Sequence, residues 1–295
     1  MSDKAKVVAL GYFDSVHIGH QKVIKTAEAL SYSKGAALTV FSFDGNLKKA
    51  LGNADGCNVF TTKERKAIFK QIGIKNAQFA PTTKEFLSLT PTEFLDFINS
   101  FGTVVAYVCG EDYRFGRNGV GDVEFLKSYA NKNGQEVVTV PMIDQDGEKV
   151  STTRIKRLLL DGEIERANKL LGRSYFVTGK VERGRKVGEK LGFPTANVRI
   201  KKDKITLKNG VYAGRCLVDD KEYLAMINYG AKPTFSLSDL SIEAHLIGYE
   251  GDLYGKTVTL FIDGFLREII KFASAEKLKE QLKKDLKNTK DRKYD

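Results

Sequence analysis

The stretch Gly11-Tyr12-Phe13-Asp14-Ser15-Val16-His17-Ile18-Gly19-His20 decides how the first half of the chain is read. It follows the apolar run KVVAL (6–10) and precedes the helix-periodic QKVIKTAEAL, so it is a strand-to-helix turn. Open α/β sheets take ligands at such turns, where the first N–H groups of the helix and its dipole favour phosphate. Glycine lets the backbone come close to that phosphate, and imidazoles on both sides of Gly19 can donate hydrogen bonds to its oxygens. Donors placed this way stabilise charge developing on a pyrophosphate leaving group and need form no covalent bond. The chain has 3 histidines and two of them fall in this turn, which weighs against an incidental capping role.

The same strand and helix rhythm continues outward. ALTVFSF (37–43), TVVAYVCG (103–110) and EVVTVP (136–141) are short apolar runs of strand type. Between them, Thr61-Thr62-Lys63-Glu64 is a capping box for a helix that Gly73 can close, and Thr90-Pro91-Thr92-Glu93 joins an N-cap to a first-turn proline and a Glu three on. Asp122 can cap a further helix and Gly134 can end it. A Rossmann-like α/β domain follows, with a mostly parallel sheet covered by helices on both faces. After Gly172 the pattern turns to YFVTGKVE, GVYAGRCLV, EYLAMINYG, SIEAHLIGY, KTVTLFI and FLREIIKF, punctuated by Asn209-Gly210 and Asp219-Asp220. About six strands closed by a C-terminal helix predict a small antiparallel β-barrel. A helix-like stretch, IKRLLLDGEIERANKLL, bridges the halves, and the boundary is expected near Leu171–Arg173, giving domains 1–172 and 173–295.

Bulk properties agree with two domains, since 295 residues exceed what one core usually organises. Three cysteines, Cys57, Cys109 and Cys216, are unpaired by parity and lack metal-ligand spacing, so they read as reduced thiols. The opening MSDKAKVVAL has neither a secretory apolar region nor a spanning segment, which predicts a cytoplasmic protein with no membrane partner. The formal charge is +11; from Arg173 onward, 25 basic and 17 acidic residues leave +8 there. That half should attract anions, although net charge does not choose among nucleic acid, an acidic membrane and a polyphosphate ligand. In AEKLKEQLKKDLKN, Leu278, Leu282 and Leu286 recur every fourth residue, so the helix docks one face and its lysines form a solvated one. GRNGVG (116–121) lacks the glycine spacing and position of a dinucleotide fingerprint and reads as a flexible loop; no GxxxxGK[ST] occurs.

Arg183-Gly184-Arg185-Lys186-Val187-Gly188-Glu189-Lys190-Leu191-Gly192-Phe193-Pro194-Thr195-Ala196-Asn197 sets glycines and bases before a fixed turn. Gly184, Gly188 and Lys186 suit the phosphates of a nucleotide. Thr195 and Asn197, two apart, project oxygens to one side of an extended segment, where Mg²⁺ shared with ATP can sit. Alone, PTAN reads equally as a structural turn.

Taken together, these motifs resemble the bacterial bifunctional riboflavin kinase and FMN adenylyltransferase (FAD synthetase) family over nearly the whole chain. The N-terminal half is similar to HxGH nucleotidyltransferases through the histidine turn, Gly110-Glu111-Asp112-Tyr113-Arg114-Phe115-Gly116 and Val150-Ser151-Thr152-Thr153-Arg154-Ile155. The C-terminal half carries the Gly-Phe-Pro-Thr-Ala-Asn signature, Asn228-Tyr229-Gly230-Ala231-Lys232-Pro233-Thr234, Ile242-Glu243-Ala244-His245-Leu246 and Gly251-Asp252-Leu253-Tyr254-Gly255. The resemblance implies that riboflavin is phosphorylated to FMN in the barrel and FMN adenylylated to FAD in the α/β domain, each step with ATP and Mg²⁺. It places His17, His20 and Arg154 in adenylyl transfer, with Gly11, Phe13, Asp14, Ser151 and Thr152 also around ATP and Asp112 and Phe115 on the flavin side. In the barrel it implies Glu243 as base, Gly184, Lys186 and Gly188 around ATP, Thr195 and Asn197 at the metal, and Leu191, Phe193 and Arg267 near the flavin. His245 reads as structural.

This chain departs from the family pattern at Ser15, where FDG is common, at Glu189, where a base is frequent, and in Phe43-Asp44-Gly45-Asn46, where prolines are usual. A Gly-to-Ser change is tolerable at ordinary φ and costly at positive φ. Without prolines the loop is expected to be looser and to lose more entropy when a ligand orders it. Two other readings stay open: that one site works, the kinase first, or that a basic scaffold binds nucleic acid. The last finds no aromatic RNA-binding signature or base-reading helix, so nucleic acid is not an expected partner.

Overall fold

A computed structural model of the chain describes residues 4–53, 56–184, 188, 192–201, 203–230 and 241–294. It divides into two compact units, Met1–Thr152 and Thr153–Asp295.

The first unit is built on parallel strands β1 (Lys6–Leu10), β2 (Ala37–Phe43), β3 (Ala77–Ala80), β4 (Val104–Gly110) and β5 (Glu136–Val140), in the order β3-β2-β1-β4-β5. The sheet reverses direction of growth at β1, between β2 and β4, which is where such sheets open a crevice. The runs in β1 and β4 are apolar because helices cover the sheet: Val7, Ala9, Ala106 and Val108 are fully buried. Helices α1 (Ile18–Ser33), α2 (Leu47–Ala50), α3 (Thr62–Gln71), α4 (Lys84–Leu87), α5 (Pro91–Asn99) and α6 (Val123–Lys132) connect them, and β6 (Asp144–Gln145) pairs with β7 (Glu148–Lys149). Both capping boxes form, Thr61 with Glu64 and Thr90 with Glu93, while Asp122 caps α6. Gly73 and Gly134 take the positive φ that ends those helices. Strand β3 had no counterpart among the predicted runs: AQFA is short and its first three residues are only half-buried.

The second unit begins with α7 (Thr152–Asp161) and α8 (Ile164–Leu171), the bridging stretch broken at Gly162, whose φ is +78°. Strands β8 (Tyr175–Glu182), β9 (Ala196–Arg199), β10 (Gly210–Val218), β11 (Lys221–Tyr229), β12 (Ser241–Leu246) and β13 (Thr257–Arg267) close a barrel in the order β10-β11-β12-β9-β8-β13. The barrel is as expected, but two of its strands are not those read from the sequence. KTVTLFI and the start of FLREIIKF are one strand running through Asp263-Gly264, with register shifts against β10 where it bends. The remaining strand is the four-residue β9, hidden in the sequence by its polar Asn197 and the preceding proline. Helix α9 (Ala275–Asp291) packs Leu282 and Leu286 against Phe193, Val211, Met226 and Leu266, so it docks by one face as its periodicity predicts. Among the described residues no helix is long and apolar enough to cross a membrane.

Candidate active sites

In the first unit a cavity of about 580 Å³ opens at the end of β1. Of the residues singled out by sequence, Gly11, Phe13, His17, His20, Asp112, Phe115, Ser151 and Thr152 line it. The histidine turn is held under strain. Phe13 and Val16 sit at φ of 51° and 43°, left-handed backbone that bulky and β-branched residues avoid, at roughly 1 kcal/mol or more each. Burial fixes both, with Val16 wholly inside and the Phe13 ring edge-on to those of His20 and Phe69. Gly11 has no alternative, because a Cβ there would meet that Phe13 ring at 2.6 Å.

His17 caps α1, its Nδ1 accepting from the His20 N–H at 3.1 Å. An acceptor Nδ1 fixes the tautomer, leaving the proton of the neutral ring on Nε2. The two rings stack at 3.6 Å with a 12° interplanar angle. Burial pushes the His17 pKa down to about 4 and that of His20 well below its ordinary value. Near neutral pH the pair are therefore uncharged donors. The buried Nδ1 of His20 has no hydrogen-bond partner among the described residues.

Around the histidines, Asp112 pairs with Lys149 at 2.7 Å and Ser15 Oγ bonds Thr152 Oγ1 at 2.9 Å. Asp14 turns inward, its Oδ1 accepting from Val59 N. Arg154 belongs to the second unit, buried in the first turn of α7. Part of the cavity wall is apolar, with Phe43, Leu47, Phe86, Phe94 and Phe115 among its lining.

In the barrel, register sets the second site. Asn197 of β9 lies opposite Glu243 of β12, and Glu243 opposite Asn228 of β11. Val198, Ile242 and Ala244 fill the interior, so by alternation Asn197 and Glu243 stand together on the outer face. Gly184 approaches Asn197 so closely that a Cβ would fall 1.9 Å from its Nδ2. Gly188 O accepts from Phe193 N at 2.9 Å, closing the turn before Pro194. His245 Nδ1 donates to Pro194 O at 2.8 Å, which is the structural role expected of it. Arg267 makes a two-pronged ion pair with buried Asp285, fastening β13 to α9. Lys186, Leu191, Glu189 and the Ala231-Lys232-Pro233-Thr234 segment lie outside the described residues.

The FAD synthetase family model matches residues 1–154 and the riboflavin kinase model residues 171–293. The chain belongs to the bifunctional riboflavin kinase/FMN adenylyltransferase family. It is 36% identical to the Listeria monocytogenes enzyme of that name over 98% of this chain and 92% of that one. The Bacillus subtilis enzyme is 34% identical over 95% of this chain and 90% of its own. A crystal structure titled macrolide-efflux protein from Streptococcus pneumoniae has the same fold, with a TM-score of 0.89 at 29% identity over 99% of this chain and 96% of that one.

The departures from the family pattern acquire physical content. Ser15 is not among the residues with positive φ, so its Cβ costs nothing there, and its hydroxyl ties the histidine turn to Thr152. The proline-free loop is tied down by hydrogen bonds. Tyr12 Oη donates to Asn58 Oδ1 at 2.7 Å and accepts from Leu47 N, Asn58 Nδ2 donates to Gly45 O, and Gly45 N donates to Thr62 Oγ1. Sequence reading assigned no role to Tyr12, Asn58 or Lys149: a lone tyrosine, asparagine or lysine in a loop carries no periodic or spacing signal.

Proposed function

We propose that the first unit transfers AMP from ATP to FMN and that the barrel transfers the γ-phosphoryl group of ATP to riboflavin, in the cytoplasm, within functional segments 1–172 and 173–295. The paired neutral imidazoles at the start of α1 carry the first half of this reading. An FMN phosphate oxygen attacks the α-phosphorus of ATP, the bond to pyrophosphate breaks, and no proton need be removed from the nucleophile. What the transition state needs is hydrogen-bond donation to the departing phosphates, and His17 Nε2–H supplies it without a charge to desolvate. Gly11, Phe13, Asp14, Ser151, Thr152 and Arg154 are proposed around ATP, and Asp112 and Phe115 on the flavin side, where the apolar part of the cavity lining suits an isoalloxazine ring.

In the barrel, the riboflavin hydroxyl gives its proton to the Glu243 carboxylate as its oxygen attacks the γ-phosphorus and ADP leaves. Asn197, opposite Glu243, and Thr195, two residues before it in sequence, carry hard oxygen donors that suit Mg²⁺, which takes few protein ligands and completes its shell with phosphates and water. When bound, the ion screens phosphate charge. Gly184, Gly188 and Lys186 are proposed around ATP; Leu191, Phe193 and Arg267 near the flavin. Incubation of the pure protein with riboflavin, ATP and Mg²⁺ should give FMN and then FAD by chromatography. Neither product, with salt-sensitive retention on RNA or DNA instead, would overturn this reading.

A further inference from the structure

Arg65, on α3, is among the largest fully buried side chains of the protein. Its guanidinium is spread over two loops. One nitrogen, Nη1, donates to Tyr12 O at 3.0 Å and to Ser42 Oγ at 2.8 Å, and Ser42 Oγ in turn donates to Tyr12 O at 2.7 Å. The other, Nη2, donates to Phe43 O at 2.7 Å, with Thr62 Oγ1 at 3.2 Å and Gly45 O at 3.4 Å. The plane lies 5.2 Å from the ring centroid of Tyr12 and 5.5 Å from that of Phe79. These acceptors are all neutral oxygens; Asp14 and Asp44 act on the charge only at longer range. A buried cation on neutral acceptors is a poor way to stabilise a core, where apolar residues of similar volume do as well or better. What it does provide is geometry, because a rigid fork of donors reaches several fixed carbonyls at once and a lysine cannot.

Both segments it joins line the cavity, Tyr12 from one and Phe43 and Leu47 from the other. Tyr12 belongs to the turn that carries His17 and His20. Phe43 ends β2 and Gly45 lies in the loop after it. Adenylyl transfer brings two ligands together in one cavity, and misplacement by about 1 Å can cost roughly 10²-fold in rate.

We propose that Arg65 is a positioning residue for adenylyl transfer, a guanidinium clamp that holds the histidine turn and the loop after β2 in one frame. The clamp rests on the reading of the first unit as the adenylyltransferase. The test uses the full chain with Arg65→Met and Arg65→Lys, measuring kcat and each KM for FAD formation from supplied FMN, together with FMN formation from riboflavin and thermal unfolding. Arg65 does not itself line the cavity, so each KM should stay within about threefold while kcat falls about 10- to 100-fold. FMN formation should be unchanged. A stability role alone predicts a loss that tracks the unfolded fraction and vanishes on cooling. The proposal is overturned by a folded Arg65→Met with the parental kcat, or by a folded Arg65→Lys with that kcat, since lysine keeps the charge and loses the fork. If neither variant folds, Arg65 is a stability residue and the proposal fails. If the parent itself makes no FAD, the adenylyltransferase reading falls and the clamp with it.

Discussion

Two imidazoles stacked at 3.6 Å inside a turn stay uncharged because burial opposes their protonation. That neutrality has a pH signature. The ordinary histidine pKa is 6.5 and that of His17 is lowered to about 4, so between these values the unfolded chain takes up a proton that the folded one refuses. Stability therefore rises with pH from about 4 to 6.5 and is insensitive to this group above that window. The full effect is about 3 kcal/mol. His17→Gln should reduce the slope of the unfolding free energy against pH between 4 and 6.5, leaving the part due to His20; an unchanged slope would show that His17 titrates normally. In the barrel, Glu243→Gln keeps shape and removes the basic oxygen, so kcat for FMN formation should drop with little change in riboflavin affinity. Asn197→Ala should instead weaken productive Mg–ATP binding and be partly rescued by excess Mg²⁺. Near-normal turnover by Glu243→Gln would send the proton elsewhere.

At the level of elements, α8 is attached to the barrel more firmly than a linker would be. Asn168 donates from Nδ2 to Ile262 O at 2.9 Å and accepts at Oδ1 from Tyr175 N at 2.7 Å, while Ile164, Ala167, Leu170 and Leu171 are buried. A fragment starting at Thr153 should therefore be more stable than one starting at Arg173 by about 3 kcal/mol or more, counting two lost hydrogen bonds and the exposed apolar area. Both are expected to make FMN. Equal melting temperatures would mean that α8 contributes nothing to the barrel. Elements with a strong local signal were legible from sequence: β1, α1 and the two capping-box helices carry their period and caps in consecutive residues. Strand β9 was not, since it is four residues long and is defined by partners at Glu182 and Glu243, both distant in sequence. The continuity of β13 is hidden in the sequence because Asp263-Gly264 interrupts its apolar run; in the fold Gly264 lies under the Arg292 guanidinium.

Across the molecule, two chemistries sit on two architectures, and each was legible as far as its residues lie close in sequence. The histidine turn is a local motif that points to phosphate chemistry by itself, whereas the PTAN segment reads as a metal site only within the longer Gly-Phe-Pro-Thr-Ala-Asn resemblance. The tie between Ser15 and Thr152 and the clamp at Arg65 span separations the sequence does not encode in any short pattern. The central claim is that one chain carries two independent active sites that act in series. Product chromatography on His17→Ala and Glu243→Gln, each supplied separately with riboflavin and with FMN, tests it most directly. His17→Ala should form FMN at the parental rate and lose FAD formation by about 10²–10³, while Glu243→Gln should fail on riboflavin yet adenylylate supplied FMN normally. Equal loss of both activities in either folded variant would contradict the two-site account.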